Sequence, residues 1–153
     1  MHRTENASWQ YITHVSNLST VPIPFEVLAM AGRCFAEIAP TQPERGPKKQ
    51  CFANAAQLAR STSGLHYVEG YAVAGRLMLP LAHAWCVDDE GRVYDPTWPD
   101  GRDYYGVVFD RDRVEDLRQM TGSHDVLTNL EALRIRDLDH IKAMLFAAVR
   151  RLP

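Results

Sequence analysis

Cysteine is scarce in this sequence. Cys34, Cys51 and Cys86 are the only three, an odd number at irregular spacing, which argues against a disulfide framework and suits a reducing compartment, the cytoplasm. Long apolar runs are lacking as well. Nothing approaches the ~20 apolar residues of a membrane-spanning helix, and the opening Met-His-Arg-Thr-Glu-Asn has no apolar stretch behind its positive charge, so neither a span nor a cleaved export signal is expected. Charge of one sign is not in excess either: 17 basic residues face 19 acidic ones, for a net charge of -2. A chain so balanced has no general attraction to phosphate backbones or anionic lipid, and neither a nucleic-acid nor a membrane partner is expected. No Cys-x-x-Cys or His-Glu-x-x-His is present. His83 and Cys86 could be grouped with Cys51 or His66, but positions 83 and 86 of a regular strand point to opposite faces, so no metal and no other cofactor is expected. Internal repeats and low-complexity segments are also missing.

What is present is an ordinary globular composition, 46% hydrophobic and 24% charged over 153 residues, enough for one domain that buries roughly two-thirds of its unfolded surface. Residues 1 to 20 show neither helical nor strand period and read as an N-terminal arm. Phe25, Leu28, Gly32, Phe35 and Ile38 recur at three- and four-residue spacing and predict a helix, Cys34 included, that Pro40 stops. Pro40 to Pro47 is a loop. From Cys51, the small apolar face of Phe52, Ala55, Ala56, Leu58 and Ala59 predicts a short, close-packed helix ended by Ser61-Thr62-Ser63-Gly64. Segments 67–74, 77–87, 92–95 and 104–109 are rich in β-branched and aromatic residues and separated by turn residues, which predicts adjacent antiparallel strands. Helical stripes return at Val114, Leu117 and Met120 and at Leu138, Ile141, Leu145 and Ala148. The fold class is therefore α+β, with helices packed on an antiparallel sheet.

Three residues carry candidate chemistry. Cys51 opens its helix, where unpaired amides and the helix dipole favour an anion and are expected to lower the thiol pKa; Lys48 and Lys49 add to that field. His83 shares a strand face with Trp85 and Val87, where Trp85 can screen the imidazole from water. Asp88-Asp89-Glu90-Gly91 then predicts a hairpin. If its loop has three residues, whether 88–90 or 89–91, His83 and Asp95 lie on one face as direct or diagonal neighbours; a slip of one residue would separate them. A thiol needs a base, and the base needs a group that fixes its tautomer, so Cys51, His83 and Asp95 supply the parts of an acyl-transfer site in order.

Gln-Cys-Phe-Ala-Asn-Ala at a helix start, His-Ala-Trp on a strand and Val-Tyr-Asp-Pro-Thr-Trp on the next resemble the transglutaminase-like branch of the papain-like cysteine enzymes, over roughly residues 45 to 110. The resemblance implies a single transglutaminase-like domain across 1–153, with Cys51 as nucleophile, His83 as general base and then acid, and Asp95 as the orienting carboxylate. It implies a cysteine hydrolase, a peptidase or amidase, acting on a peptide, a protein or a small amide or ester. Acyl transfer of the transglutaminase type by the same triad, and a non-catalytic binding module that keeps the fold, are the alternatives. The cross-linking enzymes usually have tryptophan after the nucleophile where this chain has Phe52, and the papain branch has glutamine several residues before it where this chain has Arg45. The Cys51 amide is one expected oxyanion donor, and Gln50, Gln42 and Asn54 are candidates for the second, with Gln50 favoured. Nothing resembles a calcium-binding loop, so calcium activation is not expected.

Glu69, between Tyr67 and Tyr71 on one strand face, reads as a solvated glutamate, with a place in the cleft wall as the alternative. Tyr104 and Tyr105 read as core, with pocket closure or a hydrogen bond as the alternative. Arg134, Arg136, Arg150 and Arg151 are dispersed along predicted helices and read as solvated surface.

Overall fold

The computed structural model describes residues 5–17, 23–128 and 138–153, the Leu138 side chain excepted. Arg134 and Arg136 lie outside these residues, as do 1–4 and 18–20 of the expected arm. The rest of that arm is helix α1 (Ala7–Ser16), whose N-cap Asn6 accepts from the Trp9 amide through its side chain. Only Ser8 and Ile12 of this helix are fully buried, so its apolar stripe is too narrow to show as a sequence period.

Helix α2 (Ile23–Ala31) ends well before Pro40, a correction to the predicted helix. Gly32 donates to the Leu28 carbonyl and has no room for a side chain, because a Cβ there would meet that carbonyl and the Tyr105 ring. The chain then turns extended as strand β1 (Arg33–Phe35), so Cys34 belongs to a strand rather than a helix. Helix α3 (Cys51–Ser61) follows the proline-rich loop as expected, and its Ala55, Ala56 and Ala59 permit close approach to the sheet. Strands β2 (His66–Ala74), β3 (Leu81–Val87), β4 (Val93–Tyr94) and β5 (Gly101–Val108) come next. β3 starts later than predicted, since the chain turns out of β2 at residues 75–76 and residues 77–80 only lead into β3, and β5 starts earlier. Helix α4 (Arg111–Thr121) is capped by the Asp110 side chain and closed by Gly122 at a φ of 68°, and α5 (Leu138–Ala148) completes the set.

The five strands form one antiparallel sheet in the order β1-β5-β2-β3-β4, so the α+β expectation of helices on an antiparallel sheet holds. The larger core lies between one sheet face and the helices, and includes Val27, Leu28, Ala55, Tyr67, Cys86 and Leu145. On the opposite face a smaller cluster of Phe35, Val68, Trp85, Val87, Tyr104 and Val108 is covered by Trp98 and Leu152 rather than by a helix. Among the described residues no helix is long and apolar enough to cross a membrane.

Candidate functional site

Three-residue loop geometry sets the site. The Asp88 amide donates to the Arg92 carbonyl, the Gly91 amide donates to the Asp88 carbonyl, and Gly91 takes a φ of 81°, so residues 89–91 form the loop. Cys86 pairs with Tyr94 and Val87 with Val93, which sets Asp95 diagonal to His83 on one face. The Nε2 atom of His83 lies 2.8 Å from Oδ2 of Asp95, and His83 is fully buried.

Asp95 is held from several sides. Its Oδ1 accepts from the Thr97 amide at 2.8 Å and the Trp98 amide at 2.9 Å, and its Oδ2 accepts from the Tyr104 hydroxyl at 2.8 Å. Burial pushes its carboxyl up, but the His83 hydrogen bond and charge, the Trp98 amide and the Tyr104 hydroxyl outweigh that and hold it below the usual carboxylate range. Burial, with the Asp95 charge behind it, pushes the Tyr104 hydroxyl far up, so it stays a donor. An ionised carboxylate can only accept. Nε2 must therefore carry the proton it shares with Asp95, and in the neutral ring Nδ1 is the basic lone pair. Nδ1 is itself buried and without a hydrogen-bond partner.

The screen over the imidazole is Trp98, not only Trp85. The Trp98 ring stacks on His83 with centroids 3.5 Å apart and planes within 4°, whereas Trp85 lies at 6.1 Å. Trp98 is a site residue the sequence reading missed, while Tyr104, read first as core, is buried and also takes the alternative role of hydrogen-bond donor. The signal for Trp98 was its place in the Asp-Pro-Thr-Trp segment, three residues after the carboxylate.

Cys51 is half-buried at the start of α3. β4 pairs only with Cys86 and Val87 of β3. Beyond that pairing the Ala84 amide, one residue from His83, acts on the thiol, as does the Phe52 amide of the first helical turn. Gln50 gives α3 no side-chain cap, which leaves first-turn amides available. The expected lowering of the thiol pKa does not hold: burial pushes it up, the Ala84 and Phe52 amides oppose this, and the charges of Asp95 and Glu69 push it further up. A burial cost thus outweighs the helix start. The structure brings His83 and Asp95 into direct contact and sets Cys51 against the neighbouring backbone, without a hydrogen bond from sulfur to Nδ1.

Two of the three candidate oxyanion donors are engaged elsewhere. Gln42 donates to the Ala39 and Val93 carbonyls and accepts from the Asp95 amide, all at 2.9 Å, so it positions Asp95. Asn54 donates to the Pro47 carbonyl and the Thr97 hydroxyl, which fastens the 43–47 loop and the Asp95 turn to α3. Gln50 is exposed and lines a cleft of about 330 Å³ with Phe52, Ala53, Ser123, His124 and Asp125.

Glu69 is fully buried, a correction to its reading as solvated. It accepts from the amides of Val126, Leu127 and Thr128, from the Tyr67 hydroxyl and from the Thr128 hydroxyl, at 2.7 to 3.1 Å. Burial pushes its carboxyl up, against the pull of those donors. Arg118 stacks over Tyr67 at 4.3 Å and donates to the His124 carbonyl, so the segment that walls the Gln50 cleft is fixed by two buried groups.

Comparison with protein-family models, curated proteins and solved structures returns no match.

Proposed function

We propose that this chain is a cysteine-dependent acyl-transfer enzyme, first of all a hydrolase of amide or ester bonds of the peptidase or amidase kind, working through Cys51, His83 and Asp95. The observation that carries the reading is the orphan Nδ1 of a buried histidine whose other nitrogen is committed to an ionised aspartate. A buried polar atom without a partner costs about 1–3 kcal/mol, and a group kept at that cost at a site with a thiol close by is explained by a proton it receives during reaction. The arrangement of a helix-borne cysteine, a strand histidine and an aspartate on the next strand is read as a papain-like, transglutaminase-like core.

In the reaction the Cys51 thiol gives its proton to Nδ1 as sulfur attacks the carbonyl carbon. Because the resting thiol is held up by burial, transfer and attack are coupled rather than preceded by a standing thiolate–imidazolium pair. The oxyanion takes hydrogen bonds from the Cys51 amide and the Gln50 side chain. Nδ1 returns the proton to the leaving amine or alcohol, and a thioester remains on Cys51. Water then attacks, gives a proton to Nδ1, and releases the acid as the sulfur is expelled and reprotonated. Asp95 stabilises the imidazolium throughout. Peptides, proteins and small amides or esters are the substrate classes, and a reducing cytoplasm suits the thiol.

Transfer to an amine in place of water is the second reading, favoured by the sealing of the imidazole under Trp98. Incubation of the full chain with an activated ester, with and without a primary amine, tests both. The acyl group is expected on Cys51 by intact-mass and peptide analysis, absent in Cys51→Ser and at least tenfold slower in His83→Ala. Equal, slow modification of all three cysteines would instead make the fold a binding module.

A further inference from the structure

A further cleft lies away from the Gln50 cleft. It encloses about 440 Å³ between the ends of α2 and α5, the start of β1 and the C-terminal segment. That volume falls within the roughly 300–1,000 Å³ of small-molecule sites. None of its lining residues belongs to the Cys51, His83 and Asp95 site.

Its lining is of two kinds only. Arg33, Arg150 and Arg151 supply three guanidinium groups, and Met30, Phe146 and Leu152 form much of the apolar wall; among the described residues no carboxylate lines it. Arg150 and Arg151 lie past the end of α5 in extended chain rather than along a helix, a correction to their predicted placement, with Arg151 exposed and Arg150 half-buried. The Arg150 amide donates to the Val108 carbonyl at 2.8 Å, and Val149 forms an antiparallel bridge with Phe109. Arg33 is fixed on β1 opposite Gly106, with its guanidinium 5.3 Å from the Phe35 ring. The backbone thus holds three like charges around one concavity. Neutralisation among the described residues is slight. The acid paired with Arg150 is Asp89 at 3.7 Å, and the same Asp89 oxygen takes a closer contact, 2.7 Å, from His66. The Nε atom of Arg150 is buried with no hydrogen-bond partner. Met30, by contrast, has 72% of its surface exposed, an apolar area without a cover.

We infer that this cleft binds a small molecule in which an oxyanion head, phosphate or carboxylate, is joined to a short apolar body. The arginine forks match the paired oxygens of such a head, and three positive charges with little compensation among the described residues are relieved by one anion. The apolar wall accounts for the body: inorganic anions would leave Met30, Phe146 and Leu152 uncovered. This inference is independent of the acyl-transfer reading.

Calorimetric titration of the full chain at low salt with hexyl phosphate, hexanoate, inorganic phosphate and hexanol tests it. One or both of the anionic chain-bearing probes should bind saturably at one site, at least tenfold more tightly than inorganic phosphate or hexanol, and which of the two is tighter identifies the head. Arg33→Gln and Arg151→Gln should each weaken that binding about tenfold, and Met30→Asp should remove the advantage over inorganic phosphate. Circular dichroism confirms that each variant folds, and Cys51 acylation, which depends on none of these residues, serves as a second check. Failure of both chain-bearing probes to saturate, equal binding of inorganic phosphate, or unchanged affinity in both arginine variants would overturn the inference.

Discussion

Replacing Asp95 by asparagine removes one charge and one acceptor while keeping the shape, and the geometry says which way the amide must turn. Two backbone donors, Thr97 and Trp98, converge on Oδ1, so the asparagine oxygen stays there and its NH₂ takes the position of Oδ2. That NH₂ then faces His83 Nε2 and the Tyr104 hydroxyl, both of which donate in the native protein. The tyrosine hydroxyl can rotate to accept. The imidazole can accept only by moving its proton to Nδ1, which abolishes the base proposed to act on Cys51. Hydrogen bonds to a charged group contribute about 1.5–3 kcal/mol and neutral ones about 0.5–1.5, so the two retained amide bonds weaken by about 1 kcal/mol each. Relief of a buried charge offsets part of the remainder, and the net loss of stability is about 1–3 kcal/mol. Activity falls far more, by about a thousand- to ten-thousandfold, as expected when a catalytic histidine is held in the wrong tautomer. Nitrogen-15 NMR of the imidazole, at a pH where the ring is neutral, reads the tautomer directly, and urea unfolding reads the stability. A variant that keeps Nδ1 unprotonated, or that matches the native protein in the proposed activity, would refute the reasoning.

Glu69→Gln should cost about 2–4 kcal/mol, because any orientation of the amide sets an NH₂ against at least one of the donors at Val126, Leu127 and Thr128; faster hydrogen exchange at these three amides is the local readout, and unchanged protection would count against the cage. Acid should destabilise the protein through Asp95: its folded pKa is lowered, so the unfolded chain binds protons first, and the stabilisation is present above about 3.9 and lost as pH falls through the lower folded value. Asp88 and Glu115 titrate in the same direction, while Glu69, raised by burial, opposes them. Urea midpoints between pH 5 and pH 2 should fall less steeply in Asp95→Asn, and an identical slope would exclude Asp95 from the acid response.

Much of this was legible wherever a local pattern controlled the outcome. The alanine face of α3 and the Asp-Asp-Glu-Gly turn each fixed a local geometry, and the turn alone predicted that His83 and Asp95 share a face once its loop holds three residues. Elements stabilised from a distance were not legible. β1 is three residues long and exists because β5 pairs with it, so its apolar residues could be counted into the preceding helical stripe. Glu69 looks like surface among tyrosines because its amide donors arrive 57 to 59 residues later. The thiol of Cys51 was read from its helix position and the two lysines before it, and the surroundings that bury it come from elements the sequence does not place beside it.

The brevity of β4 has a consequence of its own. Had that strand run one or two rungs further, its backbone would compete for the edge group at Ala84, and sulfur would lose that contact. A sheet stopped short in this way turns an unfinished hydrogen-bond ladder into a berth, and the proline that follows Asp95 keeps the ladder from being completed.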